Sequence, residues 1–207
     1  MFRDTTVLDQ PAPKLRVAAA VDQERIARAV REILIAIGED PDREGLLDTP
    51  RRVARAWAEQ ASGLREDPAR HLRRTFAAEY DGLVVVRGID VHSLCEHHLL
   101  PFTGRAAIAY LPGENGRVVG LSKLARLVEG FARRPQVQER LTRQIADTLE
   151  RELAPRGLAV AISAEHACMR LRGVRHCGAS TLTTVVRGAL RAGISDYPEL
   201  QDVLTKC

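Results

Sequence analysis

Leu83-Val-Val-Val-Arg-Gly-Ile-Asp-Val-His-Ser-Leu94 marks the point at which the chain changes texture. Before it, apolar residues recur at helical spacing; within it, Leu83 to Arg87 and Ile89 to Leu94 are rich in β-branched residues. Beyond it, Thr103 to Leu111 reads as a second strand. Pro112-Gly-Glu-Asn-Gly116 reads as a turn, from which Arg117 to Gly120 returns as the arm of a hairpin. Ser122 then caps a helix that turns Leu124, Leu127, Val128 and Phe131 inward. Pro135 restarts the helix, and Val137, Leu141, Ile145, Leu149 and Leu153 carry its stripe to Pro155. Leu158 to Leu171 and Thr181 to Leu190 supply a third and a fourth strand, and Asp196 to Leu204 a weak terminal helix. The order β-β-α-α-β-β predicts an α+β fold with helices on one face of an antiparallel sheet.

Working outward, residues 1–21 carry prolines and mixed charges without periodicity, and read as a flexible arm. Residues 22–80 form a helical region. Asp22 to Ile37 is amphipathic, with Ile26, Val30, Ile33, Leu34 and Ile37 on one stripe and Gly38 as its stop. Thr49 and Pro50 read as an N-cap and first helical residue, with Val53, Ala54, Trp57 and Ala61 inward. The segment from Leu64 to Asp81 has no decisive pattern. In a chain of 207 residues, 45% apolar, a sizeable core can be buried, which excludes a disordered protein. No apolar run approaches the roughly eighteen residues that cross a bilayer, and Val17 to Val21 is too short for a secretory core. A soluble, cytoplasmic protein is the expectation.

The net charge of +4 is modest for a nucleic-acid binder, but its distribution is uneven. From Cys168 to Arg191 the chain holds Arg170, Arg172, Arg175, Arg187 and Arg191 and no carboxylate, which suits an anion as well as it suits solvated arginines on a strand edge. Cys95, Cys168, Cys177 and Cys207 could form two disulfides; without a secretory signal, metal ligation or plain burial fits better. Cys95-Glu-His-His98 follows a strand and is closed by Pro101, and Cys-x-x-His spacing suits zinc. A buried cysteine beside two surface histidines is the alternative. In the third strand, His166, Cys168, Arg170 and Arg172 alternate, so a strand puts all four on one face. Joining Cys168 to Cys95 and His98 gives three ligands and one open position, the pattern of catalytic zinc, with His97 and His166 placed for proton transfer. Ser122, Lys123 and Arg126 make an anion pocket at a helix start. Gln138 and Glu139 could read the donor edge of a guanine, or be solvated polar residues at a helix start. There is no P-loop.

Five ordered stretches carry a family resemblance: Thr49-Pro-Arg-Arg-Val53, Ser93-Leu-Cys-Glu-His-His-Leu-Leu-Pro-Phe102, Gly120-Leu-Ser-Lys-Leu-Ala-Arg126, Arg134-Pro-Gln-Val-Gln-Glu-Arg-Leu-Thr142 and His166-Ala-Cys-Met-Arg-Leu-Arg-Gly-Val174. Together they resemble GTP cyclohydrolase I. The resemblance implies the tunnelling fold over residues 81–207, an antiparallel four-stranded sheet with two helices on one face, preceded by the helical arm. It implies one Zn2+ per chain on Cys95, His98 and Cys168, with His97, His166 and Ser122 as acid/base groups. Lys123, Arg126 and Arg172 match residues around the triphosphate and ribose, Arg52 one that reaches in from another subunit, and Gln138 with Glu139 the guanine-reading pair. The implied substrate is GTP, without nucleic acid or membrane as partner, and the implied assembly is a toroidal homodecamer of two pentamers. Water activated by zinc attacks C8, formate leaves, and 7,8-dihydroneopterin triphosphate results, the first step towards tetrahydrofolate and other pterins. After Val174 the chain departs from the family's Ser/Thr-rich run, with His176, Cys177, Gly178, Ala179 and Val185. A rival reading makes Cys177 the fourth ligand of a closed structural zinc site, with the arginines gripping nucleic acid.

Overall fold

The computed structural model describes residues 20–193 and 196–205. The arm expected over residues 1–21 lies outside them except for its last two residues, and so does Cys207.

Helix α1 (Gln23–Ala36) starts where the Asp22 carboxylate accepts the Arg25 N–H at 2.8 Å, and it ends before Gly38, whose φ of +87° no side chain opposes. Helix α2 (Thr49–Gln60) begins one residue earlier than expected. Asp48 holds the cap position, and its carboxylate goes to Arg52 at 3.2 Å rather than to the helix start. The two helices pack on each other. Among the described residues nothing covers the remaining apolar stripe of α1 and its cap, where Ile33 is 58% and Ile37 72% exposed.

The undecided segment resolves into two tight helical turns, Ser62–Arg65 and Pro68–Leu72, and a short strand β1 (Thr75–Ala77). Strand β2 (Val84–Cys95) absorbs both β-rich runs, with an irregularity between Val86 and Ile89 where Gly88 takes φ +71°. Strand β3 (Pro101–Leu111) pairs with it. The hairpin expected through Arg117 to Gly120 does not form: β4 (Arg117–Val119) pairs with β1 in a separate two-stranded sheet. As the chain leaves the main sheet it passes Ala154 at Gly113, where a Cβ would stand 2.5 Å from the Ala154 carbonyl oxygen. Helix α3 (Leu121–Ala132) is capped by Gly120, so Ser122 is its second residue, exposed and without a capping bond. A two-residue strand β5 (Pro135–Gln136) intervenes before α4 (Gln138–Leu153).

The expected third strand is shorter than its alternation suggested. Strand β6 (Gly157–His166) stops at His166, and Ala167–Arg170 form a helical turn, α5, so Cys168, Arg170 and Arg172 do not share a strand face with His166. His166 is paired with Phe102, and the next residue of β3 is Pro101, which has no N–H to continue a ladder. Strand β7 (Thr181–Gly188) leads to the short α6 (Ala189–Ala192), and α7 (Pro198–Thr205) supplies the terminal helix.

The main sheet has the order β5-β2-β3-β6-β7, with four antiparallel strands and β5 parallel to β2. Period-two alternation separates its faces. Ala106, Ile108 and Tyr110 of β3 and Leu158, Val160 and Ile162 of β6 meet Leu124, Leu127, Val128 and Phe131 of α3 and Leu141, Ile145 and Leu149 of α4. Ala107, Ala109, Leu111 and Ala159 look the other way, onto Leu190, Leu200 and Val203. Among the described residues, no helix is long and apolar enough to cross a membrane.

Strands β3 and β6 leave no room for a side chain at Gly104, where a Cβ would fall 1.9 Å from the Ser163 carbonyl oxygen and 2.6 Å from the Ala164 Cα. Both are backbone atoms and cannot swing aside. Gly104→Ala is expected to lower the unfolding free energy by about 2–3 kcal/mol. Gly178→Ala, which meets nothing within 4 Å, should stay within about 0.5 kcal/mol of the parent. Denaturant midpoints compare the two; equal midpoints would contradict the close approach.

Candidate metal centre and the groups around it

Strands β2 and β6 both run antiparallel to β3, so they run parallel to each other and end at the same edge of the sheet. Cys95 is the last residue of β2 and Cys168 lies two residues beyond β6. This is how two cysteines 73 positions apart arrive together. The segment after Cys95 folds back tightly. Cys95 O accepts the N–H of His98 at 3.3 Å and of Leu99 at 2.7 Å, Cys95 N–H donates to Leu100 O at 2.8 Å, and Leu99 sits at φ +55°. A leucine in the left-handed region costs about 1–2 kcal/mol, a cost borne by the tight turn that brings His98 beside Cys95.

The donor atoms of Cys95, His98 and Cys168 all lie within 4.8 Å of one another, with Cys95 Sγ and His98 Nδ1 4.0 Å apart. A tetrahedral zinc with its usual bond lengths separates sulfur and nitrogen donors by about 3.5–3.7 Å, so the three close on an ion with small shifts. Their chemistry fits as well. Burial first, and then the adjacent Cys95 thiol, push the Cys168 thiol above the ordinary range, while Arg172 acts the other way. A divalent cation relieves a thiol held protonated in this way. Cys177, the fourth ligand of the rival reading, is exposed and stands outside this group, its Sγ 3.9 Å from the Arg175 carbonyl.

Around the group, His97 is exposed with Nδ1 4.0 Å from Cys95 Sγ, and Arg172 Nη2 lies 3.1 Å from His98 Nε2. His166 stacks on Phe102, ring centroids 4.7 Å apart and planes 9° from parallel. Burial pushes its imidazole below the ordinary histidine range, opposed by the Glu139 carboxylate. Glu139 is exposed in the first turn of α4, whereas Gln138 is buried with its amide spent on β6, β7 and His166. The Gln138–Glu139 pair therefore divides: one side chain is open to a ligand and the other is part of the framework.

Three groups around the site were not singled out by the sequence reading, although most of their residues fall inside the matching stretches. Glu96 and Arg140 form a fork of two 2.7 Å bonds that holds Glu96 below the usual carboxylate range and ties the metal loop to α4. Phe102 supports His166, and Thr142 with Thr183 lies behind Gln138. These contacts join residues 41 to 64 positions apart, beyond the reach of any local spacing rule.

The expected phosphate groups are not gathered here. The C-terminal end of α3 lies beside the metal strand, since Gln136 donates to Phe131 O and Ser93 to Arg134 O. At 1.5 Å per residue, Ser122 and Lys123 stand about 12 Å or more along the helix from that end. Arg126 shares a cavity of about 370 Å³ with Arg70 and His71, and Arg52 pairs with Asp48 on α2. Nor is the arginine-rich stretch free of carboxylates in space. Arg187 bonds Asp147 at 2.5 Å and Glu150 at 2.6 Å, and Arg170 pairs with Glu165. Of its five arginines, Arg172 is the one at the metal group.

Residues 26–203 match the family model described as GTP cyclohydrolase I. The GTP cyclohydrolase 1 of Thermobifida fusca (strain YX) is 55% identical over 186 residues, covering 90% of this chain and 90% of its own. That of Carboxydothermus hydrogenoformans is 56% identical over 179 residues, covering 86% and 93%, and that of Rhodopirellula baltica is 55% identical over 186, covering 90% and 80%. The match spans both the helical arm and the sheet that gathers Cys95, His98 and Cys168, and the chain belongs to the GTP cyclohydrolase I family.

Proposed function

We propose that this chain is a zinc-dependent GTP cyclohydrolase that opens the imidazole ring of GTP, releases C8 as formate and forms 7,8-dihydroneopterin triphosphate. The observation that carries this reading is the convergence of Cys95, His98 and Cys168, flanked by His97 and His166, at one end of the sheet. Zinc held by these three residues, one ion per chain, supplies an open coordination position and makes water a nucleophile near neutral pH. The balance is simple: two waters enter, at C8 and at the resulting formamide, and one leaves when the rearranged ribose carbon closes the new ring.

The side chains divide that work. His97, exposed beside Cys95, hands a proton to N7 and makes C8 electrophilic. His166, buried and held neutral, accepts protons in the later steps, with Ser122 as a second carrier. Glu139 accepts from guanine N1–H and N2–H₂. Arg172 faces the ribose and triphosphate beside the metal ligands, and Lys123, Arg126 and Arg52 complete the anion site.

Because Ser122 and Lys123 lie at the far end of α3 from the metal group of their own chain, the active site is completed by a second copy. Three features support that assembly. Among the described residues, the outer edge of β2 is unpaired before Leu94, β7 is an open edge on the other side, and α1 carries an exposed apolar stripe. Two open edges on one sheet suit head-to-tail pairing, which closes into a ring. The homodecamer of two such pentamers follows the family resemblance, as does a cytoplasmic setting with its pool of GTP.

Cys168→Ser is expected to lose bound zinc and formate release together, whereas Cys177→Ser should keep both at parental levels. Metal analysis beside a formate assay decides; metal loss in the Cys177 variant would favour the closed structural site.

The guanine-reading role of Glu139 predicts discrimination. ITP lacks the 2-amino group and leaves part of the carboxylate unpaired, so its kcat/KM should fall at least about 10-fold below that of GTP. Glu139→Gln should shrink the gap. Equal efficiency with both nucleotides in the parent protein would remove Glu139 from this role.

A further inference from the structure

Gln138 is 1% exposed, and every polar atom of its side chain is engaged. Its Nε2 lies 2.9 Å from Ile162 O, 2.9 Å from Thr181 O and 3.1 Å from Thr183 Oγ1. Carbonyl oxygens only accept, so the amide nitrogen must be the atom that faces them. The flipped amide would press its oxygen against two carbonyl oxygens where no solvent reaches. The hydroxyls behind it agree in direction. Thr142 Oγ1 donates to Gln138 O at 2.9 Å, so its contact with Thr183 at 2.6 Å uses the proton of Thr183, and the Thr183 oxygen is left to accept from Gln138.

With the amide oriented, Oε1 faces His166 Nε2 at 2.8 Å. An amide oxygen can only accept, so the proton on that bond belongs to His166 Nε2. A neutral imidazole carries one N–H, which leaves Nδ1 as a bare lone pair. Stacking on Phe102 holds the ring plane while this happens. We propose that Gln138 is a positioning residue that locks His166 in the Nε2–H tautomer and thereby presents Nδ1 as a proton acceptor.

This deepens the proposed function, on which its kinetic arm rests, and assigns Gln138 a task other than reading guanine. It also separates the two histidines. His166 enters the reaction able to take a proton from the substrate and unable to give one through Nδ1. His97, exposed and outside this network, is left to donate.

The test uses the zinc-loaded full-length protein labelled with ¹⁵N-histidine and ¹³C-phenylalanine, examined by solid-state NMR at pH 8. The ring contact with Phe102 identifies the His166 signals without any variant. The expected result is a bare Nδ1 and a protonated Nε2; the reverse pattern, or an average of the two tautomers, would overturn the proposal. Gln138→Met keeps the bulk and removes the acceptor, and should convert the His166 signals to a tautomer average. Its kcat with GTP should fall by about 10–100-fold, part of what a positioned acid or base contributes, with KM and the GTP-over-ITP preference unchanged. A raised KM with lost preference would make Gln138 a guanine-reading residue and defeat the idea, as would an unaltered tautomer. If that variant does not assemble, the parental spectrum decides alone. Failure of the parent to release formate would sink the proposed function and leave the tautomer result standing on its own.

Discussion

The central strand β3 lies between β2 and β6, antiparallel to both, and the site exists because of that register. Phe102 is opposite Ser93 on one side and His166 on the other, so the ends of β2 and β6 finish level with each other. A slip of one residue in either ladder would turn Cys95 or His166 to the opposite face and move the inward residues out of the core. Gly104 guards this register, since it lets β6 come closer than any side chain would allow. The buried contacts of Leu124, Leu127, Leu141 and Ile145 on one face, and of Leu200 and Val203 on the other, hold the sheet at that register.

Built on that edge, the site divides into a stiff half and an open half. Gln138, His166, Phe102, Thr142 and Thr183 form a buried directional network, and the Glu96–Arg140 fork anchors the metal loop to the same helix. His97, His98, Glu139 and Arg172 are exposed and face outward. The stiff half can hold a ring and a proton position to fractions of an ångström, as acid–base chemistry requires. Ser122 and Lys123, at the start of α3, stand apart from this open half.

Much of this was legible in the sequence where a local period or spacing carries the information. The stripes of α3 and α4 appear in the core except for Val137, which is the half-buried cap of α4, and Cys-x-x-His with a distant cysteine pointed to the candidate metal group. Alternation misled where the ladder ran out. His166, Cys168, Arg170 and Arg172 read as one strand face, but Pro101 ends the pairing at His166, and Cys168 reaches the group from a helical turn instead. The Arg117–Gly120 hairpin did not form because Thr75–Ala77, a strand the sequence did not mark, takes Arg117–Val119 as its partner, and the caps at Thr49 and Ser122 were each misplaced as the backbone began its turn earlier. The role of Gln138 was out of reach, since it depends on which carbonyls of β6 and β7 come within 3 Å of one amide. The stripe of α1 was legible as amphipathic, but its exposure among the described residues was not.

The claim that matters most is that this site cuts the guanine ring at C8. The direct measurement is ¹³C NMR of the zinc-loaded protein with [8-¹³C]GTP. The account predicts that the label leaves as formate, one equivalent for each GTP consumed, while all three phosphates stay on the organic product. Label retained in a purine ring while inorganic phosphate accumulates would contradict it and would describe a nucleotide phosphatase.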